Sequence, residues 1–114
     1  MTKRGSEVER AISEAWKHFD ARQWEAAREG FLFVLGQVPR NRLAAEGLAM
    51  SLYRSGDYKG AFELAKQLKR MVPSVQELVS ETVVADVHYM IRNGEFAAAS
   101  ELLGNCLLYT SDAA

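Results

Sequence analysis

This sequence has one cysteine, two prolines and no apolar run near the roughly 20 residues that a membrane-spanning helix needs. A single cysteine, Cys106, gives no information about the redox compartment. The 14 basic and 15 acidic residues leave a formal charge of -1, so no basic field exists that would attract nucleic acid or an anionic membrane. The N-terminal sequence MTKRGSEVER has no apolar segment typical of a signal peptide, and we expect a cytoplasmic protein.

Residue patterns that carry catalysis or bind metals are also scarce. His18 and His88 lie 70 positions apart, without a cysteine or carboxylate arrangement at ligand spacing that would indicate a zinc site or a nucleophile–base pair. Gly94 lies between two predicted helices, whereas a phosphate-binding loop follows a strand. The sequence therefore predicts no enzyme, no metal site and no cofactor, and it does not favour nucleic acid or membrane as a partner.

What the sequence does contain is a repeat of 34 residues. Such a period is typical of stacked helical hairpins. The step from Tyr58 to Phe96 is 38 residues, so about one extra helical turn precedes the third unit. The composition, 48% hydrophobic and 25% charged, is that of one globular domain. The pairs at the 34-residue spacing are Trp24 with Tyr58, Ala27 with Ala61, Phe31 with Ala65, and Pro39 with Pro73.

Apolar residues at helical spacing and the signals for helix ends predict six helices. Capping boxes at Ser6 to Glu9 and Ser74 to Glu77 mark two predicted N-termini. Asn41 is a predicted N-cap, and Gly56 a predicted C-cap. The predicted helices cover about residues 6–19, 24–37, 42–55, 57–72, 74–92 and 95–105.

The order of small, aromatic and apolar residues around each turn resembles the tetratricopeptide repeat. The first repeat carries Ala15, His18, Trp24, Ala27, Phe31, Val34 and Pro39, the second Ala49, Leu52, Gly56, Tyr58, Ala61, Ala65, Leu68 and Pro73, and the third Gly94, Phe96, Ala99 and Leu103. Arg22, Ala65 and Val87 depart from the family pattern. The resemblance implies an all-α, right-handed α-solenoid of about three hairpins within residues 1–105, with repeats at about 8–41, 42–75 and an incomplete 80–105.

The resemblance also implies where a partner binds, because the first helix of each hairpin lines a concave groove in this family. We expect a partner peptide or helix to be anchored there on Trp16, Met50 and Tyr53 and oriented by Arg54 and Arg92. A broad apolar surface on a soluble domain is typical of an interaction site. The groove residues that follow from the repeat register are Ile12, Trp16, Phe19, Met50, Tyr53, Arg54, Val84, His88, Ile91 and Arg92.

Other functions fit the same repeats. An alternative interpretation is that the chain is a structural or oligomerising module of a larger, truncated protein, in which a second copy or a further helix covers the groove. Its general shape is also similar to that of small three-repeat chaperones of type III secretion. These alternatives remain open at the level of sequence.

The last residues, Cys106 to Ala114, resemble a translation of the transposon end that is joined to DNA in tagmentation sequencing libraries. On this interpretation the segment 106–114 is non-native, and the authentic chain ends near Asn105. Since no polar capping helix follows, we expect Leu102, Leu103 and the tail leucines to lie on a partly exposed apolar face.

Overall fold

The computed structural model describes residues 3–110, with side chains from Gly5 to Cys106. The described residues form six helices and no strand, which confirms the all-α class. None of these helices is long and apolar enough to cross a membrane. The helices are α1 (Lys3–Asp20), α2 (Trp24–Gln37), α3 (Arg42–Arg54), α4 (Tyr58–Gln67), α5 (Ser74–Arg92) and α6 (Phe96–Thr110).

The predicted starts of α2, α3 and α5 are confirmed, whereas the predicted start of α1 and the two predicted capping boxes are wrong. The Asn41 side chain accepts a hydrogen bond from the Ala44 N–H at 2.9 Å and so caps α3. The predicted start of α2 at Trp24 is also confirmed. In contrast, α1 begins at Lys3, so Ser6 lies inside the helix. The Ser74 hydroxyl donates to Glu46 Oε2 at 2.6 Å instead of capping α5.

The turns inside the three hairpins share one geometry. Arg22, Gly56 and Gly94 have positive φ angles of 62°, 97° and 77°. The N–H of each donates to the carbonyl three residues back, and the next N–H donates to the carbonyl five residues back. This pair of bonds is the Schellman motif, with the left-handed residue just beyond the helix. The second helix of each hairpin therefore starts two residues after an equivalent backbone reversal.

Each hairpin packs on the next one along the chain. Besides the contacts within hairpins, α3 contacts α1 and α2, α5 contacts α3 and α4, and α6 contacts α4. The buried side chains form two clusters that share the partly buried Phe19, Leu35, Leu52 and Leu64. The first consists of Val8, Ala15, Ala27, Phe31, Val34, Ala44 and Leu48, and the second lies mainly on α3 to α6.

Small residues allow the helices to approach each other, as the repeat pattern predicts. Ala27, Ala61 and Ala99 occupy equivalent places and are all buried. A Cβ atom added at Gly30 would lie 2.8 Å from Ala15 Cβ. At Gly47 an added Cβ would overlap the fully buried ring of Phe31, so α2 and α3 are in contact through a glycine.

The C-terminal expectation is half correct. Leu103 is 40% exposed, as expected, whereas Leu102 is only 1% exposed because it belongs to the second cluster. The tail leucines, Leu107 and Leu108, lie outside the described side chains. Helix α6 continues past the predicted end at Asn105 to Thr110.

Gly47→Ala is expected to lower the free energy of unfolding by about 1–3 kcal/mol, because the new methyl group overpacks the Phe31 ring. Gly36→Ala is the matched control, since nothing lies within 4 Å of its added Cβ in α2. The control should raise stability by about 0.5–1 kcal/mol through helix propensity. Urea unfolding followed by circular dichroism measures both, and equal effects of the two changes would contradict the close α2–α3 contact.

Arg22→Gly is expected to raise the free energy of unfolding by about 0.5–1 kcal/mol. A left-handed backbone costs a side-chain-bearing residue about 1–2 kcal/mol, and the greater freedom of glycine in the unfolded chain offsets part of that gain. Gly56→Ala should have the opposite sign at the equivalent turn. The same unfolding measurement tests the pair, and a loss of stability in Arg22→Gly would show that the arginine side chain stabilises the turn.

Candidate functional site

The predicted groove residues on α1 lie at its packed face. Ile12, Trp16 and Phe19 are half-buried against the first cluster. The Trp16 ring lies edge-on to Phe19 and to Phe31, with centroids 5.0 Å apart in each pair. These three residues therefore support the stacking of the first hairpin and leave only part of their surface accessible.

The expectation that Met50 and Tyr53 line an open groove is wrong. Met50 is 7% exposed and Tyr53 is 2% exposed, because α5 packs against α3 at these positions. The Tyr53 hydroxyl donates to Asp86 Oδ2 at 2.7 Å. The Thr82 hydroxyl on α5 lies 3.9 Å from the Met50 sulfur. Both residues anchor a helix of the chain itself.

Arg54 takes part in the same polar contact. Its Nη1 lies 3.5 Å from Asp86 Oδ2, and its guanidinium carbon lies 5.6 Å from the centre of the Tyr53 ring. Burial raises the pKa of the Tyr53 phenol above its ordinary range, and the hydrogen bond to Asp86 raises the pKa further. The phenol is therefore held neutral as a hydrogen-bond donor between α3 and α5.

The remaining predicted groove residues lie on α5 and are accessible. Val84 is 55% exposed and Ile91 is 48% exposed, and His88 and Arg92 are exposed as well. These positions fall on one side of the helix, because their spacings of three, four and seven residues follow the helical repeat. The structure thus brings four of the ten predicted residues together on a free surface.

The repeat register explains why the same positions are buried in one hairpin and exposed in the next. On α3, Glu46, Met50 and Tyr53 each contact a residue of α5, namely Ser74, Thr82 and Asp86. A shift of 38 residues carries these α3 positions to Val84, His88 and Ile91. No described helix follows α6 to cover them.

Two residues of α6 are likewise exposed where their repeat equivalents are covered. Phe96 is 64% exposed, whereas its equivalents Trp24 and Tyr58 are half-buried. Leu103 is 40% exposed, whereas its equivalents Phe31 and Ala65 are buried. Sequence reasoning did not assign Phe96 to the site, although it is the third aromatic residue after a hairpin turn. We define the third-hairpin face as Val84, His88, Ile91, Arg92, Phe96 and Leu103.

Tyr53→Phe is expected to lower the free energy of unfolding at neutral pH by about 1 kcal/mol, because Asp86 loses its shortest hydrogen bond. The folded-state pKa of Tyr53 is raised, so the wild-type stabilisation is complete below the ordinary tyrosine pKa of about 10 and is lost as the pH rises above it. The difference between wild type and variant should therefore shrink above pH of about 10.

Urea unfolding between neutral and alkaline pH checks this prediction. Tyr89→Phe is the control, because the Tyr89 ring is exposed, and its stability curve should run parallel to that of the wild type. If the free energies of unfolding of Tyr53→Phe and the wild type differed by the same amount at every pH, the ionisation of Tyr53 would not be linked to folding.

Comparison with known proteins does not assign the chain to a family. No family model matches the chain, and no curated protein or solved structure is significantly similar to it. The hairpins and the surface that they leave open are therefore the features from which a function can be inferred.

Proposed function

We propose that this chain is a protein-interaction scaffold of tetratricopeptide-like hairpins, arranged as a right-handed α-solenoid, whose third-hairpin face binds an α-helix of a partner protein. The equivalent turns at Arg22, Gly56 and Gly94 and the contact of each hairpin with the next support the repeat architecture. The partner-binding role is supported chiefly by one observation, the exposure on α5 of positions that are covered on α3.

The contacts of the second hairpin indicate what kind of partner fits. There, the equivalent positions receive α5, a helix, so a helix is the occupant that the geometry supports best. The third-hairpin face carries Val84 and Ile91 where the second hairpin has Glu46 and Tyr53. The partner helix should therefore present an apolar face with few polar groups at the contact.

A second copy of the chain is a less suitable occupant. In a head-to-tail array, α1 of the next copy would take the place that α5 takes on the second hairpin. The solvent-facing side of α1 is charged, with Glu7, Glu9, Arg10, Glu14 and Lys17 exposed. Burying these charges against Val84 and Ile91 would be unfavourable without partners for them.

Ile91→Asp combined with Leu103→Asp is expected to weaken helix binding at least about tenfold, a change of about 1.4 kcal/mol in binding free energy. Both side chains are exposed, so folding should be retained. Displayed helical peptides are selected on the wild-type chain, and the dissociation constants of the enriched peptides are measured by fluorescence anisotropy. Selected peptides should also gain helical circular dichroism when they bind.

The control is Leu43→Asp combined with Met71→Asp, which changes exposed apolar residues outside the third-hairpin face. This control should bind the selected peptides like the wild type. Equal binding by all three proteins would refute the assignment of the face. Concentration-dependent association of the wild type that the Ile91 and Leu103 changes abolish would instead support the oligomerising alternative.

A further inference from the structure

A furrow lies along α2 and the end of α3, away from the third-hairpin face. It consists of three adjoining clefts of about 410, 680 and 330 Å³. Trp24 lines the first and second clefts, and Glu25 and Arg28 line the second and third, so the clefts adjoin one another along α2. We call this surface the α2 furrow.

One end of the α2 furrow is cationic. Arg22 and Arg54 line the first cleft together with one acidic residue, Asp20. The guanidinium of Arg22 makes no hydrogen bond or ion pair with the described residues. Among the described residues, the guanidinium of Arg54 has one long ion pair of 3.5 Å to Asp86 and a cation–π contact with the Tyr53 ring. A carboxylate placed between the two arginines would find donors that the described residues leave without a partner.

The backbone at Arg22 gives a second reason to assign a role to its side chain. Arg22 adopts the left-handed conformation, and glycine occupies the equivalent places, Gly56 and Gly94. The turn needs no side chain at this position, and an arginine is unfavourable there. Arg22 therefore has an unfavourable backbone conformation, and its guanidinium lines a cleft without a partner among the described residues. This combination indicates that its side chain has a role other than stabilising the turn.

The opposite end of the furrow is apolar. Leu32, Leu48 and Leu52 line the third cleft beside Glu29. Between the two ends, Glu25 and Arg28 form an ion pair at 3.7 Å and neutralise each other. Trp24 separates the first two clefts, and its ring lies edge-on to Phe19 with centroids 5.2 Å apart. Tryptophan and arginine are the residues most enriched among those that dominate binding energy at protein interfaces.

The length of the furrow determines how far apart the acidic and apolar side chains of a bound peptide must be. From Trp24 to Leu32 the helix rises about 12 Å at 1.5 Å per residue. An extended peptide covers that distance with about four residues at roughly 3.3 Å each. We propose that the α2 furrow binds an extended segment of a partner protein that carries an acidic side chain about four residues from an apolar one.

Polyanions fit this surface less well. Asp20, Glu25 and Glu29 line the furrow along its length. They would repel a nucleic-acid backbone or an anionic lipid surface, which places negative charge at every step. A short segment with one acidic end matches the charge distribution, because only the Arg22 and Arg54 end has an excess of positive charge.

The test uses two probe peptides of opposite direction, acetyl-Asp-Asp-Gly-Gly-Leu-Leu-amide and acetyl-Leu-Leu-Gly-Gly-Asp-Asp-amide, each with an Asn-for-Asp control. Binding is followed by the NMR signal of the Trp24 indole N–H during titration of the full chain. One acidic peptide should shift this signal with a dissociation constant below about 1 mM. Its Asn control should bind at least fivefold more weakly, because asparagine cannot form the charge-assisted hydrogen bond that the aspartate forms with arginine.

Arg22→Gly should bring the affinity for the acidic peptide down to that for the Asn control. Because this change places glycine where the other two turns have it, a loss of binding would not come from unfolding. Arg54→Gln should act in the same direction, whereas Arg40→Gln, an exposed arginine in another turn, should have no effect. The Ile91→Asp and Leu103→Asp variant should bind the acidic peptide like the wild type, which separates this site from the third-hairpin face.

Three results would overturn the proposal. The first is that neither acidic peptide shifts the Trp24 signal, and the second is equal binding of acidic and Asn peptides. The third is unchanged binding by Arg22→Gly. If sedimentation showed that Arg22→Gly instead lowers the mass of the wild-type assembly, the furrow would be a contact between copies of the chain, and the peptide site would be refuted.

Discussion

Each hairpin of this chain buries apolar surface by packing on a neighbouring hairpin, and this constraint determines the rest of the structure. Phe31 is fully buried because α3 approaches through Gly47, and Met50 is buried because α5 covers it. The same requirement leaves the third-hairpin face open, since no described helix lies beyond α6. The same repeat positions therefore belong to the core where a neighbouring hairpin covers them, and to the candidate interface where no described hairpin does.

Polar contacts determine how α5 lies on α3. Near the start of α3, Glu46 accepts from Ser74 at 2.6 Å and pairs with Arg42 at 2.9 Å. Near its end, Tyr53 donates to Asp86. Two directional contacts at opposite ends of one interface fix both the position and the rotation of the helix. Hydrophobic burial alone is non-directional and would allow other registers.

The sequence predicted the hairpins well because their signals are local. The limits of α2 follow from Trp24 and Pro39, and the cap at Asn41 depends on residues within one turn. The burial of Tyr53 could not be predicted in this way, since its partner Asp86 lies 33 residues further along the chain. Nor do Ser6 and Ser74 differ from true N-caps in their local sequence, although α1 begins before Ser6 and the Ser74 hydroxyl has its partner on α3.

The nearest-neighbour packing also sets an order for folding during synthesis. All residues of the first buried cluster lie between Val8 and Leu48, so this core can close before the second hairpin is complete. The second cluster needs α3 to be in place, because Ala45, Ala49, Met50 and Tyr53 belong to it. A chain that emerges from the ribosome N-terminus first can thus fold hairpin by hairpin, with each finished unit serving as the template for the next.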